Sequence, residues 1–431
     1  MRIWIGKSRW WIKSNVTAPH GSGGSSQPGF LANQLLNDSS GELCMSVLRP
    51  EIASLRNNGI TGVALPRMTD PEMFPLWFGE GDIPTPDFIR DAAKKALDEA
   101  YTFYSHTRGR AELRETIHQY LNDLYNIDLD FNRITVPGST MLGITISAQM
   151  ALTNGSHGLI VSPAWPNVEA VFQITGCDYE HIRQQPVNGR WQLNMQDLYA
   201  AVRPNTRVIF VNSPCNPTGW VMTSDEQREL LAFCRERQIM IIADEVYHRT
   251  VFDRKAAPSF LEVAEPEDPV VVISGFSKAW AMTGWRIGWV VSPASWGEQW
   301  AAMSECFNTG TPPFVQLAAM AALEQGEPFV NQLLQQYAGG LDLVMDALGN
   351  HPRVDMLRPE GAFYAFPRIR GVTDSMAFAE QLADETKVGL APGYTFGPGN
   401  DEHVRLCFAM SHDRLGEALR RMVQFIDRMP G

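Results

Sequence analysis

The chain has 431 residues, 44% hydrophobic and 19% charged, with a formal net charge of −12. That composition belongs to a globular protein long enough for one large or two ordinary domains. The charge argues against nucleic-acid or anionic-membrane partners, which want a basic surface. No apolar run reaches the roughly 18 residues of a membrane span. The cysteines, Cys44, Cys177, Cys215, Cys234, Cys306 and Cys407, are sparse and form no CxxC pair. Neither a disulfide scaffold nor a zinc site is expected, so no metal ligands are assigned, and a reducing cytoplasm is the default location.

In chain order, the opening MRIWIGKSRWWIK is basic and Trp-rich. It lacks the continuous apolar centre and small-residue cleavage site of a secretory signal. PHGSGGSSQPG (18–28) reads as a flexible linker. Residues 1–45 are expected to be a flexible, dispensable N-terminal extension, with ordered sequence starting near Met45. Residues 46–87 and 333–431 are expected to form a smaller α+β domain, and 88–332 a large domain.

Within the large segment, short apolar runs alternate with helical stretches. The runs are HGLIVS (157–162), RVIFVNS (207–213), IMIIAD (239–244) and VVVIS (270–274). They are rich in Val and Ile with little alternation, as expected of strands covered on both faces. Between them, SDEQRELLAFCRERQ (224–238) has a Ser N-cap and an acidic first turn. The pattern predicts an α/β fold with a mostly parallel sheet.

Ligands of such sheets sit at the carboxyl ends of the strands. The first run is followed by Pro163-Ala164-Trp165, the second by PCNPTG with Asn216. The third ends in Asp244-Glu245-Val246-Tyr247, and Gly275-Phe276-Ser277-Lys278 follows the fourth. VPGSTMLGITISAQMAL (136–152) is a Gly-Ser-Thr turn opening an apolar helix, whose free amides make a phosphate seat. Taken singly, Asp244 could be a cap, Trp165 core filler, and Ser139 and Thr140 helix starters. Together they fit one chemistry. An amine that forms a Schiff base needs an aldehyde cofactor, and a pyridine ring needs an anionic partner to remain an electron sink. The ring also needs a flat face to stack on and its phosphate needs helix amides and an arginine.

SGFSKAWAMTGWRIGW (274–289) resembles the cofactor-lysine motif of the class I/II, fold-type I, pyridoxal-phosphate (PLP) aminotransferases. NPTG (216–219), ADEVY (243–247), PGST (137–140), FGEGDIPTP (78–86), YSHTRGRAELR (104–114), PEGAFYAF (359–366) and PGYTFG with VRLCFA (392–409) follow in the family's pattern. The resemblance covers roughly residues 75–431. It implies a seven-stranded, mostly parallel sheet and reversible transfer of an amino group between an L-amino acid and a 2-oxo acid. It implies PLP on Lys278 as a Schiff base, with that lysine then moving the α-proton. Asp244 would pair with the ring nitrogen, Tyr247 and Asn216 with the phenolic oxygen, and Trp165 would stack on the ring. Ser139, Thr140, Ser277 and Arg286 would bind the phosphate. Tyr104 would reach the phosphate of a partner subunit, implying a homodimer with shared sites. Arg405 would clamp the substrate carboxylate, with Trp165 and Asn216 beside it, and Gly79 would let backbone approach the substrate.

Two departures stand out. A phosphate-binding Ser that the family often has three residues before the lysine is Gly275 here. Residues 287–352 contain no Lys or Arg, so one mode of gripping a second carboxylate is absent. Trp77, Phe78, Ile83 and Trp165 lean towards an apolar or aromatic substrate, while His106 and Arg108 are candidates for receiving an acidic side chain. The same fold could instead carry out β-elimination or decarboxylation. A PLP-sensing regulator would need a DNA-binding domain, for which the first 44 residues, linker included, are expected to be too few.

Overall fold

The four apolar runs read as strands become four adjacent parallel strands in a computed structural model that describes residues 47–430. The expected extension over 1–45, its linker and Cys44 lie outside the described residues. The sheet has seven strands: β1 (Ile134–Gly138), β2 (His157–Ser162), β3 (Asp178–Arg183), β4 (Thr206–Asn212), β5 (Met240–Asp244), β6 (Val270–Gly275) and β7 (Gly288–Val291). Their spatial order is β1-β7-β6-β5-β4-β2-β3, and β7 alone runs antiparallel to its neighbours.

Side chains of successive strand residues point to opposite faces. One apolar layer therefore takes Leu159, Val161, Ile209, Val211, Ile241 and Val272, and the other takes Ile160, Val208, Phe210, Ile242, Val271 and Ile273. Both layers are covered, which is why these strands show no polar alternation. The sheet is mixed, with the antiparallel β7 returning the chain after the lysine segment.

Helix α1 (Gly59–Ala64) precedes the sheet, α2 (Thr140–Ala151) follows β1, and α3 (Ser224–Arg237) joins β4 to β5. The N-cap of α3 is Thr223, one residue before the expected Ser224; Thr223 and Glu226 form a reciprocal capping box. A second group of elements comprises α4 (Glu327–Leu348), α5 (Ser375–Thr386) and α6 (His412–Arg428). They surround a small antiparallel sheet of Tyr364–Ala365, Val404–Cys407 and Ala391–Pro392. Its apolar centre includes Leu341, Val344, Phe378, Leu406, Leu415 and Met422. The boundary expected between 332 and 333 falls inside the continuous α4. Among the described residues, no helix is long and apolar enough to cross a membrane.

Candidate active site

A cavity of about 230 Å³ opens where the carboxyl ends of the central strands meet the small sheet. Gly79, Thr140, Trp165, Asn216, Asp244, Tyr247, Ser277, Lys278, Arg286 and Arg405 all line it. The structure thus brings most of the sequence-predicted residues together. Ser139 stands just behind this wall, where its hydroxyl accepts from Leu142 N at 3.2 Å and caps α2. Tyr104 is apart from the cavity and 91% exposed.

Lys278 follows β6 and its Nζ donates to Gly79 O at 2.6 Å. Burial lowers its pKa to about 8; Glu80 and Asp244 act against that shift and Arg405 adds to it. Asp244 ends the neighbouring β5. Burial raises its pKa to about 6, opposed by the Val246 N–H on its Oδ1 at 3.2 Å and by Lys278. An amine that loses its proton more easily than a free lysine and a carboxyl that loses its proton less easily than a free aspartate therefore line the same cavity.

Asn212, at the end of β4, was not singled out from the sequence. Its side chain donates to Asp244 O at 2.9 Å and accepts from Asn216 N at 2.7 Å, tying two strand ends together. Asn216 Oδ1 accepts from Arg405 Nη1 at 3.1 Å. Arg405, 2% exposed, also donates to Trp77 O, and its guanidinium lies 4.6 Å from the Tyr364 ring centroid. It has no carboxylate partner among the described residues, and its Nε is buried without a hydrogen bond. A buried cation in that condition suits an anionic ligand.

Tyr247 and Tyr364 share a hydroxyl–hydroxyl hydrogen bond of 2.6 Å. Tyr364 lies inside PEGAFYAF, a block noted in the sequence without a role for this residue. A Cβ on Gly79 would overlap the Tyr364 hydroxyl and stand 3.4 Å from Lys278 Nζ. Gly275 explains the missing serine. A Cβ there would stand 2.8 Å from both Gly288 Cα and Thr140 Cγ2. The two glycines face each other across the β6–β7 pairing, under the start of α2.

Thr140, in the first turn of α2, lines the cavity together with Ser277 and Arg286. The α2 start offers amides without intrahelical partners. Arg286 takes a left-handed backbone conformation (φ 54°), donates to Thr283 O at 2.7 Å and has no carboxylate partner among the described residues. Asn58, Ile60, Thr61 and Asn167 also line the cavity and escaped the sequence reading. The first three lie at the start of α1, whose two glycines blur its helical pattern. Arg108 is already occupied. It donates to Thr135 Oγ1 at 3.0 Å and Ile134 O at 3.1 Å, and also to Asn132 O.

Fold and site together define an α/β enzyme built around a partly buried lysine at the carboxyl end of the sheet. The chain belongs to the class I and II aminotransferases, whose family model matches residues 75–422. It shares 33% identity over 357 residues with an aspartate aminotransferase of Pyrococcus abyssi, spanning 81% of this chain and 91% of that one. It shares 32% over 352 residues with aromatic-amino-acid aminotransferase 2 of Thermococcus litoralis, covering 80% and 90% of the two chains. A solved Thermus thermophilus aspartate aminotransferase, a single mutant, superposes with a TM-score of 0.81 at 27% identity, covering 88% of this chain and 100% of that one. The fold is that of the fold-type I aminotransferases, and the protein is an aminotransferase. The comparisons favour transamination over the elimination, decarboxylation and regulatory alternatives. The family is generally PLP-dependent.

Proposed function

We propose that this aminotransferase moves amino groups between an L-amino acid and a 2-oxo acid with PLP held at Lys278. The observation that carries the proposal is Lys278 and Asp244 facing one cavity from adjacent strands, the lysine with a weakened hold on its proton and the carboxyl with a strengthened one. When bound, the cofactor supplies an aldehyde for the amino group and a cationic ring that withdraws electrons from the substrate α-carbon.

The donor set fits that group. Asp244 would hold the protonated ring nitrogen, and pairing with a cation offsets the burial that raises its pKa. Tyr247 and Asn216 would hold the phenolic oxygen, and Trp165 would cover one ring face. Ser139, Thr140, Ser277 and Arg286 would hold the phosphate. Arg405 would bind the α-carboxylate of donor and acceptor alike, with Gly79 leaving room beside Lys278. The lysine, as neutral amine, would take the α-proton and return it one step later.

The substrate side chain is proposed to be apolar or aromatic. Ile60, Trp77 and Phe78 line the cavity, its cationic lining residues Lys278, Arg286 and Arg405 already have assignments, and Arg108 is spent on its own chain. We propose a homodimer in which Tyr104 serves the partner's phosphate; its exposure in the single chain suits that role. A cytoplasmic setting and a division into 46–87 plus 333–431 against 88–332 complete the reading, the latter supported by separate apolar centres.

The test is a screen of amino donors and oxo acceptors on purified protein with added PLP, alongside Lys278→Ala. Wild type should gain a visible absorbance band that the variant lacks. An unchanged band in Lys278→Ala would sink the assignment.

A further inference from the structure

Lys278 is shared by two cavities. Besides the one described, a smaller cavity of about 30 Å³ adjoins the lysine on the side of Gly79, Glu80, Thr283 and Tyr337. A water needs roughly 10–15 Å³ of such space, so about two waters fit. The walls carry polar groups to hold them. Tyr337 is 4% exposed and lines this cavity, and its hydroxyl has no hydrogen-bond partner among the described residues. Buried hydroxyls without a protein partner are normally satisfied by ordered water. Thr283 Oγ1 donates to Glu80 Oε2 at 2.9 Å, and Glu80 is exposed, so its carboxylate reaches bulk solvent.

We propose that this small cavity is a hydrated proton path from Lys278 past Tyr337 to Glu80, with Glu80 as its outer end. It rests on the reading of Lys278 as the amine that carries the substrate α-proton. The exchange is proton for proton. The lysine ammonium gives one proton to cavity water, Glu80 passes one to bulk, and a solvent proton returns along the same path with no net change of charge. The α-hydrogen is therefore washed out into solvent in competition with its direct return. Glu80 and Tyr337 are positioning residues for this path, since they touch water rather than substrate.

The test uses holoenzyme with an α-deuterated amino acid and reads the fraction of deuterium lost to solvent per turnover. Glu80→Gln and Tyr337→Phe keep shape and remove the acid or the hydroxyl. Each is expected to lower the washed-out fraction about twofold or more. An unchanged fraction in both variants overturns the proposal. Cofactor-free protein gives a second readout: the pH dependence of Lys278 acylation, followed by mass spectrometry of its peptide. Glu80→Gln should lower that midpoint by about half a unit or more, because a carboxylate facing the lysine through water is lost. An unmoved midpoint overturns the role of Glu80. This second measurement stands even if wild type gains no visible band with PLP, so failure of the path and failure of the cofactor reading are told apart.

Discussion

Arg405 Nη1 donates to Asn216 Oδ1 at 3.1 Å, joining the residue proposed for the substrate carboxylate to one proposed for the cofactor ring. A carboxylate arriving at Arg405 meets a guanidinium already oriented by a side chain that also answers to the cofactor. Arg405→Lys cannot make the two-pronged contact. It should raise KM for every amino acid and lower kcat/KM by roughly 10²- to 10³-fold, with PLP affinity changed far less. Steady-state kinetics and a PLP titration check this. Equal losses in both would show that Arg405 serves the cofactor instead.

Gly79→Ala should impair turnover about tenfold or more, because the new methyl collides with the Tyr364 hydroxyl beside Lys278. Removing that hydroxyl leaves the nearer obstacle as Tyr364 Cζ at 3.2 Å. The double variant Gly79→Ala with Tyr364→Phe should therefore recover part of what Gly79→Ala loses, relative to Tyr364→Phe alone. A double-mutant cycle with strictly additive losses would refute the steric account.

Gly275→Ser supplies the serine that the motif resemblance implies three residues before the lysine. It should still destabilise this chain, by about 1–3 kcal/mol, because its Cβ meets Gly288 Cα at 2.8 Å and Ile287 O at 3.0 Å, both backbone atoms. Denaturant unfolding reads the difference. A neutral substitution would mean that β6 and β7 separate more easily than their pairing implies.

Asp244 links function to stability. Its pKa in the fold, about 6, lies above the ordinary 3.8. The folded state thus holds more protons than the unfolded one across that interval, and stability of the cofactor-free protein falls as pH rises through it. The gap corresponds to about 3 kcal/mol. Asp244→Asn should make cofactor-free protein more stable than wild type by about 1–3 kcal/mol near pH 8, with the advantage vanishing near pH 4. The same variant should bind PLP at least about tenfold more weakly. Unfolding at both pH values and a PLP titration test the pair of outcomes; a less stable variant near pH 8 would contradict the burial argument.

The sheet was readable where burial on both faces left its mark. HGLIVS and IMIIAD are apolar because no face of β2 or β5 meets water, and the residues closing them fell at the cavity. β3 escaped because it is an edge strand, and its sequence DYEHIR is largely polar and only partly buried. β7 has four residues and begins inside the lysine block, whose last two residues, Gly288 and Trp289, read as part of the motif. In the site, Lys278, Asp244 and Asn216 were legible from their place after strands. Asn212 was not, since a strand-terminal Asn looks like any turn former. Tyr364 and the α1 residues were not, since they reach the cavity from segments outside the strand ends or with weak local pattern. Gly275 was seen as a departure, but the reason lies in Gly288 and Thr140, which meet it only in space.

Helix α4 has a mechanical meaning beyond packing. Its first turn carries Val330 into the core of the large sheet, while Leu333, Tyr337 and Leu341 belong to the second core. Glu327 at its head is clamped by both Nη atoms of the buried Arg249, at 2.7 and 2.8 Å, four residues from the Asp244–Glu245 turn. The helix spans about 33 Å with no break. It is a single rod held at its head by the Arg249 clamp and along its length by the second core, with Tyr337 partway along it in the wall of the lysine's small cavity. One unbroken rod thus ties the salt-bridged start of the helix, the wall of the lysine's small cavity and the second core at Leu348 together, so none of the three shifts independently of its axis.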